Sequence, residues 1–190
     1  METRSLRAAV AATALCLAPA FAQAPAEKKA APEMPKPAAE MAQLKFFDGS
    51  WTCEGMMQPS PFGPGGKITS TVKSQTDLGG FWQSGTVKGS SPGMPPFEGM
   101  FHMTYDPGTK QHVSLWVDNM GAWSHSTSRG WEGDKIVFEG ESAMGGKKIM
   151  GRDAFIKNAD GSMRHTWEMQ LEGKWTSIGD ETCRKGVKGK

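Results

Sequence analysis

The run Leu44-Lys45-Phe46-Phe47-Asp48-Gly49-Ser50-Trp51-Thr52-Cys53-Glu54-Gly55 constrains this chain more than any other. It reads as the opening strand of a sheet, and it carries a cysteine whose partner would be Cys183, close to the far end of the sequence. A disulfide between the two requires Cα atoms roughly 4.4 to 6.8 Å apart and side chains leaving the same face. The first and last strands must then be neighbours. A sheet that satisfies this closes on itself, and the expected architecture is a barrel.

The third cysteine, Cys16, falls in what reads as an export leader. Arg4 and Arg7 precede an apolar run at residues 8–20, and small residues at Ala20-Phe21-Ala22 place cleavage after Ala22. The apolar run is too short to span a bilayer as a permanent helix, and no later segment approaches the roughly 20 apolar residues that spanning needs. The expected location is the periplasm or the outside of the cell. Removing the leader leaves Cys53 and Cys183, and an even cysteine count in an exported chain favours a disulfide over a metal site.

Residues 23–40 are dominated by Ala, Pro, Lys and Glu, which cannot bury enough apolar surface to offset the entropy of ordering, so they read as a disordered tether. From Met41 the texture changes to short alternating runs cut by turn signals such as Leu78-Gly79-Gly80, Asp106-Pro107-Gly108, Glu132-Gly133-Asp134 and Glu172-Gly173. The expected domain at residues 41–186 is all-β: a closed up-and-down antiparallel β-barrel of about ten strands, followed by a basic tail at 187–190. Ten strands enclose more space than the eight whose side chains nearly fill a barrel, so a hollow lumen is expected. The Pro/Gly-rich segments at residues 59–66 and 90–96 should be long loops at its mouths.

Alternation along strands sorts the candidate lining. Met163, His165, Trp167, Met169 and Leu171 share a mostly apolar face against Arg164, Thr166, Glu168 and Gln170, so the odd set is expected inside. Phe101, Met103 and Tyr105 are read the same way. Between residues 122 and 131 the bulky set is Trp123, His125, Thr127, Arg129 and Trp131, opposed by small residues including three serines, and the bulky set is assigned to the lumen. Arg152 is also placed inside, although Asp153 with Ile149 and Phe155 makes an equally apolar opposite face. At residues 112–118 the register stays open, with Val113, Leu115 and Val117 facing away from Trp116 and Asp118.

The chemistry-bearing residues do not gather into a catalytic pattern. Ser70-Thr71-Val72-Lys73 has the spacing of a serine–lysine acylase pair, yet it lies in an alternating strand and lacks the companion motifs. Gly63-Pro64-Gly65-Gly66-Lys67 lacks the spacing and the helix of a phosphate loop. His102, His112, His125 and His165 lack the close pairing of zinc ligands, so neither metal nor cofactor is assigned. A net charge of +2 over 190 residues is too nearly neutral for a nucleic-acid partner.

The Gly49-Ser50-Trp51 core, the Asp77-Leu78-Gly79-Gly80-Phe81-Trp82 turn, Tyr105-Asp106-Pro107 followed by Leu115-Trp116-Val117-Asp118, and the closing Arg184-Lys185 together resemble the bacterial family called domain of unknown function 1579. The resemblance implies a lipocalin-like or calycin-like barrel and supplies no catalytic residues. The expected function is binding of a small apolar or amphipathic ligand, with Trp123, His125, Met163, His165, Trp167 and Met169 as wall and Arg129 or Arg152 near a polar end. Two alternatives stand beside it. One is haem or nitric-oxide binding resembling the nitrobindin barrels, with His165 as axial ligand; the other is a filled structural or interaction module.

Overall fold

The computed structural model describes residues 33–61, 63–90 and 95–186. The leader, the tether up to residue 32 and the basic tail lie outside them. A compact unit begins at Pro35, and its first regular element is a 3-10 helix, Ala39–Phe47. The first third of the expected opening strand is thus helix. Met41, Leu44 and Phe47 are spaced to share one side of a helical turn, and all three are buried. Gly49, at φ +113°, turns the chain sharply out of this helix into the sheet, a conformation that only glycine adopts at little cost.

The strands follow as β1 (Gly49–Met57), β2 (Gly66–Asp77), β3 (Trp82–Ser90), β4 (Phe97–Asp106), β5 (Gln111–Asp118), β6 (Trp123–Ser128), a two-residue β7 (Trp131–Glu132), β8 (Lys135–Met144), β9 (Lys147–Lys157), β10 (Met163–Leu171) and β11 (Lys174–Lys185). Sequence neighbours pair antiparallel, β6 pairs with β8 past the short β7, and β1 pairs with β11. The result is the expected closed meander of ten long strands, with β7 an appendage on the turn into β8.

The β1–β11 register sets Cys53 opposite Cys183, and the two are disulfide-bonded with Cα atoms 4.0 Å apart. That approach is closer than the range expected above. Both cysteines are almost fully buried on the inner face.

The 3-10 helix closes the end of the barrel where β1 starts. Trp51 Nε1 donates to the Phe47 carbonyl (3.0 Å), Trp131 Nε1 to that of Gln43 (3.1 Å), and His112 Nε2 lies 3.3 Å from that of Glu40. Phe46, Phe47, Trp51 and Trp131 pack ring against ring beneath it. At the opposite end, Ser60, Gly63, Pro64 and Gly65 after β1, with Ser90 at the end of β3 and Pro95 before β4, rim the opening. The barrel is therefore a cup with a helical floor.

Candidate functional site

The lumen holds a cavity of about 400 Å³. It exists because small residues alternate with large ones on the inner face. Gly55, Gly85, Gly99, Gly140 and Gly179 all face inward by register, as do Ser70, Ser114, Ser124, Ser126 and Ser142. Several of these glycines make room for a specific neighbour: a methyl group on Gly99 would fall 2.2 Å from the Trp116 ring, and one on Gly55 2.6 Å from the Glu181 side chain. Between them stand Val72, Val87, Phe97, Phe101, Trp116, Phe138 and Phe155, which make most of the wall apolar.

One side of this wall is polar. The pairings Phe155↔His165 and His165↔Glu181 bring β9, β10 and β11 together at mid-height. His165 Nε2 lies 3.1 Å from Asp153 Oδ1, and Nδ1 lies 3.2 Å from Glu181 Oε1. Ser70 on β2 donates to the other Glu181 oxygen, Oε2, at 3.1 Å. The imidazole is stacked on Phe155 (ring centroids 4.2 Å apart) and flanked by Trp167 at 4.6 Å.

A ring with a carboxylate at each nitrogen can satisfy both only as the doubly protonated imidazolium. Burial pushes the His165 pKa down and is the largest single influence, but the hydrogen bonds and charges of Asp153 and Glu181 together outweigh it and raise it to about 9. The histidine is thus cationic at neutral pH. Glu181 is buried, whereas Asp153 keeps 41% of its side chain accessible.

Met163, His165, Trp167 and Met169 line the cavity on the face assigned to them, and Phe101 and Met103 face inward too. Strand β6 is turned the other way. Ser124, Ser126 and Ser128 point inward, while Trp123, His125 and Arg129 are exposed, with only Trp123 touching the mouth. In a hollow barrel the small face can be the inner one, and placing the bulky face inward presumes a lumen that has to be filled. Arg152 is also displaced from its expected place. Alternation with Asp153 and Phe155 sends it to the other face, where it bonds Glu168 at 2.6 Å and lies over the Trp175 ring at 4.3 Å.

On β5 the inner set is His112, Ser114, Trp116 and Asp118, and the exposed set includes Leu115 and Val117. Asp153, Glu181 and Ser70 escape the sequence reading. The spacing Glu181-x-Cys183 is the available signal, because a residue two before an inward cysteine on one strand shares its face.

The geometry does not favour His165 as a haem ligand, since both of its nitrogens are held by carboxylates. Cys53, Cys183 and Glu181 also bring donor atoms within 4.8 Å of one another, but the two sulfurs are bonded to each other rather than present as thiolates.

A family model described as "Protein of unknown function (DUF1579)" matches residues 36–178. No curated protein matches the chain. Among solved structures, the crystal structure of Rv2717c from M. tuberculosis is similar at 13% identity and a TM-score of 0.60, over 80% of this chain and all of that one. A de novo designed fluorescence-activating β-barrel matches at 15% identity and a TM-score of 0.39, over 75% of this chain and 95% of that one. The first likeness bears on the fold alone, and it agrees with the closed barrel.

Proposed function

The chain belongs to the DUF1579 family of proteins of unknown function, and from the chemistry of its lumen we propose that it is an exported binding cup for a small apolar or amphipathic molecule. The observation that carries this reading is the cavity of about 400 Å³, walled by Phe97, Phe101, Trp116, Phe138 and Phe155 and open at one end. Its size falls within the roughly 300 to 1,000 Å³ of small-molecule sites, and its make-up of apolar wall with a few convergent polar groups is theirs as well.

The Cys53–Cys183 disulfide supports an oxidising compartment. Together with the leader-like residues 1–22 it favours the periplasm or the outside of the cell for the mature protein, cut after Ala22. No enzymatic step is proposed. Ser70 donates to Glu181, whose other oxygen is already engaged by His165.

Native mass spectrometry of protein purified from envelope extract without detergent tests the reading. The expected spectrum shows the chain beginning at Gln23, lighter by two hydrogens than its reduced form, with an additional small mass that organic extraction removes. A bare chain that also leaves an apolar fluorescent probe unbound would overturn the binding role, and a chain that retains residues 1–22 would overturn export.

A further inference from the structure

Resting on the binding-cup reading, we infer that the ligand is a cationic amphiphile, an amine or quaternary ammonium whose charged head meets Asp153 and Trp167 and whose apolar body lies along the aromatic wall. The charge of the lumen points this way. Among the described residues that line the cavity, the ionisable groups with inward side chains are Asp118, Asp153 and Glu181 against His165, and no lysine lines it. Arg152 and Glu168 point to the outer face and neutralise each other, and His165 is shared by two carboxylates. The remaining charge is negative, and a ligand carboxylate or phosphate would meet no unpaired cation there.

Of the acids, one is open. Both Asp118 oxygens are occupied, Oδ2 by Trp116 Nε1 at 3.1 Å and Oδ1 by the amides of Met120 and Ala122 at 2.9 and 3.0 Å. Glu181 accepts from Ser70 through one oxygen and faces His165 through the other, and it is buried. Asp153 uses only Oδ1, toward His165, and remains accessible from the cavity. Its cross-strand partner is Trp167, so a cation that reaches Asp153 arrives beside an indole. A carboxylate next to an aromatic ring is the pairing that holds ammonium groups, through Coulomb attraction and the negative face of the ring. The chain as a whole is nearly neutral and does not select for charge; the lumen does.

Calorimetric titration with three probes that share a decyl tail separates the possibilities: decyltrimethylammonium, decyl sulfate and decyl maltoside, each kept below its micelle-forming concentration. The expected order places the cation about tenfold or more tighter than the anion, the contribution of one partly screened charge pair. Asp153→Asn should weaken the cation several-fold and leave the maltoside unchanged. If that variant does not fold, the salt dependence of the wild type decides, because added salt should weaken the cation alone.

Equal or tighter binding of decyl sulfate, or a cation affinity indifferent to both salt and Asp153→Asn, would overturn the inference while binding of the maltoside kept the cup. Failure of all three probes would remove the cup as well.

Discussion

Replacing both bridge cysteines, as Cys53→Ala with Cys183→Ala, should lower the unfolding free energy by about 2 to 5 kcal/mol, with an upper figure near 5 from the chain-entropy relation. The bridge spans 130 residues of sequence, so it removes a large loop-closure entropy from the unfolded chain. The folded barrel should survive, because β1 and β11 remain joined by seven residue pairs, from Trp51↔Lys185 to Met57↔Gly179. Urea titrations of the wild type with and without reductant, beside the double variant, measure the effect. Coincident curves would show that the bridge contributes nothing and that backbone pairing alone closes the barrel.

Raising the pH from about 6.5 to above 9 should destabilise the protein by an amount on the order of 3 kcal/mol through His165. Its folded pKa is raised, so its contribution is complete below the unfolded value near 6.5 and is lost as the pH climbs through about 9, where the folded imidazolium gives up one of the two protons it directs at Asp153 and Glu181. His112 works in the opposite sense. Burial under the 3-10 helix depresses its pKa against the smaller raising effect of Glu40, so acid below about pH 6.5 must drive a proton into a buried ring and costs stability there. Stability is therefore expected to peak near neutrality. Unfolding midpoints between pH 5 and 10 trace the curve, and Glu181→Gln should flatten its alkaline side. A midpoint that did not fall above pH 8 would contradict the doubly bonded imidazolium.

The inner faces of the strands show why some of this fold is legible in the sequence and some is not. Strand β10 is legible because its apolar and polar residues alternate cleanly, and Met163, His165, Trp167 and Met169 do face inward. The pairing of Cys53 with Cys183 is legible from the even cysteine count that remains once the leader is set aside, and with it the adjacency of first and last strands. Strand β6 misleads because hydrophobic patterning marks the inner face only where the interior is filled. Here the inner face carries Ser124, Ser126 and Ser128, and the outer carries Trp123 with Lys148 lying 5.7 Å over its ring.

The helix Ala39–Phe47 escapes notice because it is one short 3-10 segment whose apolar residues continue without a break into β1. The acidic cluster escapes for a different reason. Asp153, His165, Glu181 and Ser70 are contributed by β9, β10, β11 and β2, and only the closed register brings them together. No local pattern contains it.

That the lumen is the binding site is tested most directly by filling it. Ser114 is buried on β5, faces the cavity and pairs across the sheet with Met103 and Ser126, so Ser114→Trp places an indole in the void while leaving the ladder bonds intact. An apolar fluorescent probe titrated into both proteins should saturate at one site per chain in the wild type and lose most of its affinity in the variant, with circular dichroism unchanged. Equal binding to both folded proteins would contradict the account, because it would put the probe outside the barrel, on the exposed face formed by Met100, Leu115, Val117 and Trp123.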